Sequence, residues 1–350
     1  MSQAFRELLK KVGSGTHTSA SLTRAEAAAA LEMMLRQEAT PVQIGAFLIA
    51  HRIRRPTGEE LAGMLDAYDA LAPKVAAIES PYPVAVFSVP YDGRSRTAPL
   101  LPITALVLAA AGHPVLMHGG DRMATKYGVP LLELWQQLGI DWSTLSLEQV
   151  QQTLEQTNLG FLYTPRHFPL SQHLTVARDQ LGKRPPLATL ELFWCPYEGD
   201  SHLFSGYVHP PTEAMMQVAF QLRGQTRYTT IKGLEGSCDL PRDRTAIIGT
   251  YTGKDELDRL LLNARDLDLN GTEASYSELE TWTAEAQQVL QGQTDSKLYA
   301  AVLWNAGFYL WHLKIAPTLA EGIAQTKALL QDGQVKAQLC LLQTYTAKLN

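Results

Sequence analysis

From residue 83 to residue 128 the chain passes through a short apolar run, a glycine turn, a second apolar run and a His-Gly-Gly loop, an order that confines it to α/β folds. Residues 83–89, PVAVFSV, have the composition of a buried strand, and Tyr91-Asp92-Gly93 is the turn that ends it. Residues 102–111 are small and apolar enough for a buried helix capped by Gly112, and residues 114–117 form a second short strand. In such a unit the loops that follow the two strands lie at one end of the sheet, where α/β proteins hold ligands. The loops 91–96 and 118–126 are therefore the first candidates for a binding site.

Upstream of this unit the chain reads as helices alone. Thr23-Arg24-Ala25-Glu26 is a capping box, in which the threonine oxygen takes a backbone N–H at the third helical position and the glutamate reaches back. The device recurs at Thr40-Pro41-Val42-Gln43, with proline in the favoured first helical position, and at Thr57-Gly58-Glu59-Glu60. Residues 27–35 and 44–53 are strongly apolar, so these short helices pack on one another and are expected to pack on a second subunit. Strand-like runs begin at Val84 and return at residues 160–163, 228–231 and 246–249. Residues 298–313 and 319–330 read as closing helices, with a further capping box at Thr318 to Glu321. The expected fold is a large α/β domain with a mostly parallel central sheet flanked by helices, beside a smaller all-α N-terminal domain spanning residues 1–73.

The formal net charge of -5 gives no global attraction to nucleic acid, so a polyanion would need a local basic groove. Three widely spaced cysteines, Cys195, Cys238 and Cys340, form neither a zinc motif nor a disulfide framework, which fits a reducing cytoplasm. Charges at the start of the chain and the lack of any long apolar run predict a protein that is neither exported nor membrane-bound.

Leu22-Thr23 with Glu26-Ala27, followed by the run Glu38 to Arg52 (EATPVQIGAFLIAHR), resembles the helical domain of anthranilate phosphoribosyltransferases and the related pyrimidine nucleoside phosphorylases. Ala109 to Gly112, His118-Gly119, Arg178 with Leu181-Gly182-Lys183-Arg184, Leu290-Gln291-Gly292, Asn305-Ala306 and Leu319 to Gly322 extend the similarity nearly end to end. The resemblance implies that a helical insertion near residues 165–190 completes the small domain, that residues 74–164 and 191–350 form the large one, and that two copies pair through the helical domain.

The family binds phosphoribosyl pyrophosphate (PRPP) on a Gly-Thr-Gly-Gly-Asp turn followed by a hydroxyl-rich helix start. The corresponding stretch here keeps Asp92, Gly93 and Thr97 but carries Pro90, Pro99 and Pro102, which donate no backbone N–H, and Leu101, which has no hydroxyl. Arg94 and Arg96 could still attract an anion by side-chain charge; a solvated turn is the other reading. In the second loop His118, Gly119, Lys126 and Gly128 match the family, Thr125 replaces a serine, and Gly120-Asp121 replaces Asn-Arg. A carboxylate thus stands where a guanidinium would meet phosphate. Of the family's Mg²⁺-binding acid pair only Asp239 remains beside Cys238, with Glu235 as a substitute if the loop is reshaped, and Mg²⁺ is expected only if PRPP is bound. Arg178 aligns with the arginine that anchors the aromatic acid, and with Arg122, Lys183 and Arg184 it would supply cations to the interdomain cleft. Pairing with a nearby acid is the structural alternative for Arg178.

Gly249 to Asp255 falls one residue short of a phosphate-binding P-loop, and the nine histidines show no metal-ligand spacing. Three functions follow. The first is an active phosphoribosyltransferase with an aromatic or heterocyclic acceptor, and the third a nucleoside phosphorylase-like enzyme. The second, which fits the dismantled PRPP motifs best, is a divergent, YbiB-type paralogue; that resemblance implies sequence-nonspecific binding of DNA or RNA, with a phosphorylated small molecule as the other ligand class.

Overall fold

The computed structural model describes residues 2–15, 17–253 and 257–349. Lys254 and Asp255 of the P-loop-like stretch lie outside the described residues. The N-terminal helices are α1 (Gln3–Gly13), α2 (Arg24–Leu35), α3 (Pro41–Arg54) and α4 (Gly58–Leu71). All three expected capping boxes form, at Thr23, Thr40 and Thr57. Glu60 does more than cap: its carboxylate takes the Thr57 N–H at 2.7 Å and the Leu22 N–H at 2.8 Å, tying the start of α4 to the entry of α2. The two helices cross so closely that a Cβ on Gly63 would lie 2.0 Å from the Arg24 carbonyl oxygen. Thr318 caps its helix as expected, but the Glu321 carboxylate accepts the Thr318 hydroxyl at 2.8 Å rather than reaching its backbone N–H, so only half of that box exists.

The sheet has seven strands in the order β3-β2-β1-β4-β5-β6-β7. They are β1 (Val84–Phe87), β2 (Val115–Gly119), β3 (Leu159–Tyr163), β4 (Ser201–Gly206), β5 (Tyr228–Ile231), β6 (Ala246–Tyr251) and β7 (Asp258–Leu262). The pairings through β5 are parallel, whereas β6 and β7 run antiparallel to their neighbours. The helix between β1 and β2, α5 (Leu101–Ala110), is buried along nearly its whole length, as its unbroken apolar composition requires. Central β4 and edge β7 carry no strand signal in sequence. Ser-His-Leu-Phe-Ser-Gly lacks β-branched residues and becomes a strand through pairing with β1 and β5.

After β3 the chain returns to the helical bundle. Phe168 meets the Tyr68 ring edge-on at 5.2 Å, and His173 contacts the Leu35 carbonyl through Nδ1 at 2.7 Å. A second link joins α4 to the helix Pro210–Leu222: Arg24 holds Asp66 at 2.5 Å and the Leu222 carbonyl at 2.7 Å, while Arg223 holds Asp69 at 2.5 Å. Among the described residues no helix is long and apolar enough to cross a membrane.

Strand order places the ligand end of the sheet. From β1 the chain runs outward to β2 and β3, and later to β4 and β5 on the other side, so β1 and β4 flank the topological switch point. A crevice forms at the carboxyl ends of such a pair, here the loops after Phe87 and after Gly206.

Candidate functional site: a charge-filled cradle and an open cleft

The loops after β1 and β2 meet. Gly93, with a φ of 75°, lies so close to the second loop that a Cβ there would be 2.4 Å from the Gly128 carbonyl oxygen. Gly128 N–H donates to Asp92 O at 3.0 Å, and Arg94 and Val129 exchange backbone hydrogen bonds.

Residues 95–97 turn their backbone N–H groups inward, and the anion they hold is internal. The Glu235 carboxylate accepts from the N–H groups of Ser95 at 3.3 Å, Arg96 at 3.0 Å and Thr97 at 3.0 Å, and from the Thr97 hydroxyl at 3.0 Å. Arg94 Nε, Arg96 Nε and Lys126 Nζ stand 3.5, 3.6 and 3.5 Å from it. Burial works to raise the Glu235 carboxyl, but the Thr97 and Arg96 N–H groups and the cations outweigh it and bring it to about 2. Arg94 is spent elsewhere as well: its Nη1 lies 2.5 Å from Asp239, which also takes the Leu100 N–H at 3.0 Å. Both carboxylates assigned to Mg²⁺ from sequence are therefore engaged with protein donors, and the donor set does not fit the ion. Among the described residues no group of three His, Cys, Asp or Glu side chains is arranged for a metal.

Arg178 faces inward, 5% exposed, and pairs with the buried Glu191. Glu191 also accepts the Tyr91 N–H at 3.0 Å. The structural alternative for Arg178 is thus the one realised, and the expectation of a free cation in the cleft is corrected: an acid 13 residues along the chain occupies it. Arg122 departs from expectation too, since it points away to Glu133 with contacts of 2.7 and 2.6 Å. His118 is fully enclosed, its Nδ1 bonded to the Tyr91 hydroxyl and its ring edge-on to Trp194 at 5.3 Å. Burial pushes it down to about 3, so it is a neutral packing group and not an anion ligand. Thr125 and Lys183 are exposed, Gly119 is buried at the end of β2, and Asp121 accepts the Tyr163 hydroxyl at 2.8 Å. Arg184 sits 3.6 Å from Asp92 and keeps part of its surface in the cleft.

That cleft, about 1080 Å³, opens between the helical domain and the switch point. Arg52 and Arg55 enter it from the end of α3, Arg184 from the insertion, and Tyr207 and His209 from the loop after β4. Pro56, Pro185, Pro186, Pro210 and Pro211 stiffen its walls, and among the described residues no carboxylate side chain lines it. Arg55 holds a φ of 67°, a conformation that side-chain-bearing residues adopt at a cost and that clusters at binding sites. Arg52 donates to the Arg184 carbonyl at 2.6 Å, bridging helix and insertion. Nothing local in the sequence marks Arg52, Arg55 and His209; only the packing of the end of α3 beside the loop after β4 brings them to one opening.

Two family models match the chain: the helical bundle domain of a glycosyl transferase family over residues 6–72 and that family's a/b domain over residues 97–336. Anthranilate phosphoribosyltransferase of Methylobacterium nodulans is 29% identical, covering 96% of this chain and 97% of its own, and that of Polaromonas sp. is 26% identical over 91% of each. In structure, anthranilate phosphoribosyltransferase of Saccharomyces cerevisiae, solved with PRPP and Mg, superposes with a TM-score of 0.85 at 16% identity, covering 99% of both chains. The Thermus thermophilus enzyme gives 0.78 at 22% identity, covering 99% of this chain and 100% of its own. With the a/b-domain match spanning more than half of its length, the chain belongs to this glycosyl transferase family and is anthranilate phosphoribosyltransferase-like in sequence and fold.

Proposed function

We propose that this family member has given up PRPP-dependent transfer and binds nucleic acid, holding strand phosphates in the interdomain cleft. The observation that carries the proposal is the cleft lining, in which three arginines and a histidine face a large opening with no carboxylate side chain among the described residues that line it, in a chain whose net charge is -5. The loss of transfer rests on Glu235, which occupies the backbone donors that a departing pyrophosphate would need. Of the cations expected from sequence, Arg184 lines the opening, whereas Arg94, Arg122 and Arg178 are spent on Asp239, Glu133 and Glu191; Arg52 and Arg55 join Arg184 from the end of α3. A cleft walled by prolines suits a single strand, whose bases can lie on apolar faces, better than a rigid duplex. We also propose that two copies pair along α3, where Val42 is 82% and Ile53 73% exposed and Ala46 and Ile49 continue the stripe.

Fluorescence anisotropy with labelled oligothymidine tests the binding. With three arginines on phosphates, the logarithm of the association constant should fall by about 2 per tenfold rise in salt, with little dependence on base sequence. Replacing Arg52 and Arg55 by alanine together should bring that slope below about 1. Affinity indifferent to salt, or to this double substitution, would overturn the proposal. Calorimetric titration with PRPP, with and without Mg²⁺, should give no saturable heat in the wild-type protein; metal-dependent binding would restore the transferase reading with an aromatic or heterocyclic acceptor.

A further inference from the structure

We infer that Arg55 is the affinity-determining anchor of the cleft, a cation held at a glycine position, so that the chain gives up fold stability in order to grip one phosphate of the strand. The inference rests on the nucleic-acid reading of the cleft and adds to it which arginine decides the binding.

The backbone at Arg55 is one that a side chain opposes. Asn158, Glu235 and Asp268 also have a positive φ, but their ψ angles of 17°, 20° and 27° put them near the small left-handed well that L-residues can enter. Arg55 combines a φ of 67° with a ψ of 129°, outside the three main regions open to a residue with a Cβ. Pro56 accounts for the ψ, since a residue before proline is driven to extended values of this size. The φ is imposed from both sides. Arg54, the last residue of α3, is fastened to Glu60 and, at 2.9 Å, to the Ser21 hydroxyl. Helix α4 begins at Gly58, where a Cβ would stand 2.5 Å from that of Val218 on the helix Pro210–Leu222. With both helix ends fixed, the turn between them cannot relax, and strain persists only where its surroundings over-determine it in this way. Glycine would adopt the same geometry without strain.

The Arg55 side chain contributes no contact that would offset this strain. Arg52 donates to the Arg184 carbonyl and Arg54 pairs with Glu60, so both neighbouring cations serve the fold. Arg55 is exposed in the cleft lining and has no hydrogen-bond or ion-pair partner among the described residues. All five of its N–H donors are therefore open to a ligand, in the planar fork that matches two phosphate oxygens. An unpaired arginine on a surface is ordinary, whereas one at a glycine position beside an opening of about 1080 Å³ is not. The locked backbone also fixes where the side chain starts, which leaves less freedom to be lost when a phosphate is bound.

Urea unfolding and fluorescence anisotropy with labelled oligothymidine, on wild type, Arg55→Gly and Arg55→Lys, test the inference. Arg55→Gly should raise the unfolding midpoint and at the same time weaken binding by at least about tenfold at low salt. The fall in the logarithm of the association constant per tenfold rise in salt should drop from about 2 to about 1.4 in that variant. Arg55→Lys keeps the charge and the Cβ, so its midpoint should match wild type and its salt dependence should stay near about 2. A purely structural arginine would lose stability on replacement by glycine, so a midpoint that falls or stays level overturns the inference, as does failure of Arg55→Gly to fold. If wild type and Arg55→Gly bind the strand equally, the inference alone is lost. If wild type does not bind it, the nucleic-acid reading is lost and the inference with it.

Discussion

Replacing Arg178 by alanine is expected to destabilise the fold by about 3–5 kcal/mol at neutral pH, the cost of stranding a buried charge. Glu191 is 1% exposed and has Arg178 as its ion-pair partner, with the Tyr91 N–H as its other donor. Water reaches neither group, so the lost attraction is not replaced by solvation. Burial already pushes the Glu191 carboxyl up against the pull of Arg178. Without that pull it rises further, and the deficit of the variant relative to wild type at the same pH should shrink as the pH falls and Glu191 takes a proton. Urea unfolding at pH 7.5 and pH 5.5 measures both effects, and adding Glu191→Gln should restore most of the loss, because an amide needs no counter-charge. A loss below about 1 kcal/mol at pH 7.5 would mean that the pair is solvated and that Arg178 remains available to a ligand.

That pair marks the boundary of what the sequence discloses. The capping boxes were readable because both partners lie within three residues, and a threonine at the N-cap with a glutamate or glutamine three residues later satisfies the same backbone groups in any protein. The strands β1, β2, β3, β5 and β6 were readable from apolar, β-rich composition. Strand β4 was not, since its conformation is imposed by its neighbours. The charges of the site were visible as residues but their partners were not. Arg94 meets Asp239 across 145 residues and Glu235 meets the 95–97 turn across about 140, and no periodicity encodes either distance. The sequence therefore exposed the loss of the PRPP motifs, through Pro90, Leu101 and Cys238, while the occupation of the vacated donors by an internal carboxylate became visible only in the fold. The same limit explains why a basic groove built from Arg94, Arg96, Arg122, Lys126, Arg178, Lys183 and Arg184 is expected from sequence, whereas of these the cleft lining keeps Arg184 and adds Arg52 and Arg55 from a helix of the other domain.

A loss of stability of about 4–6 kcal/mol is expected between pH 7.5 and pH 5, driven by histidines that the fold keeps neutral. His118 and His202 are buried and pushed down to about 3 by desolvation; His312, lowered to about 4 by the same cause, keeps part of its surface exposed. His202 and His312 both contact the Thr229 hydroxyl through Nε2 at 2.8 Å, so one ring donates to that oxygen while the other accepts its proton, and protonation of the accepting ring would break the chain. Because these pKa values are depressed in the folded state, the unfolded chain binds the extra protons, and stability falls as the pH drops below the ordinary value near 6.5. At 1.36 kcal/mol per pH unit, the roughly 1.5 units from 6.5 to pH 5 give about 2 kcal/mol for each enclosed histidine and less for His312. His113 and His167, also lowered by burial, add to the loss. Glu235, already brought to about 2, stays ionised through this window and contributes nothing to the slope. Glu191 and Glu273 are raised by burial and act in the opposite direction, returning part of the loss as the pH falls. Unfolding midpoints in urea across this range measure the balance, and His202→Gln, which can keep a hydrogen bond to Thr229 without a titrating group, should remove about a third of the slope. A midpoint that stays level from pH 7.5 to pH 5 would show that protons reach these rings in the folded state, and that the interior between the sheet and its helices is wetter than its packing implies.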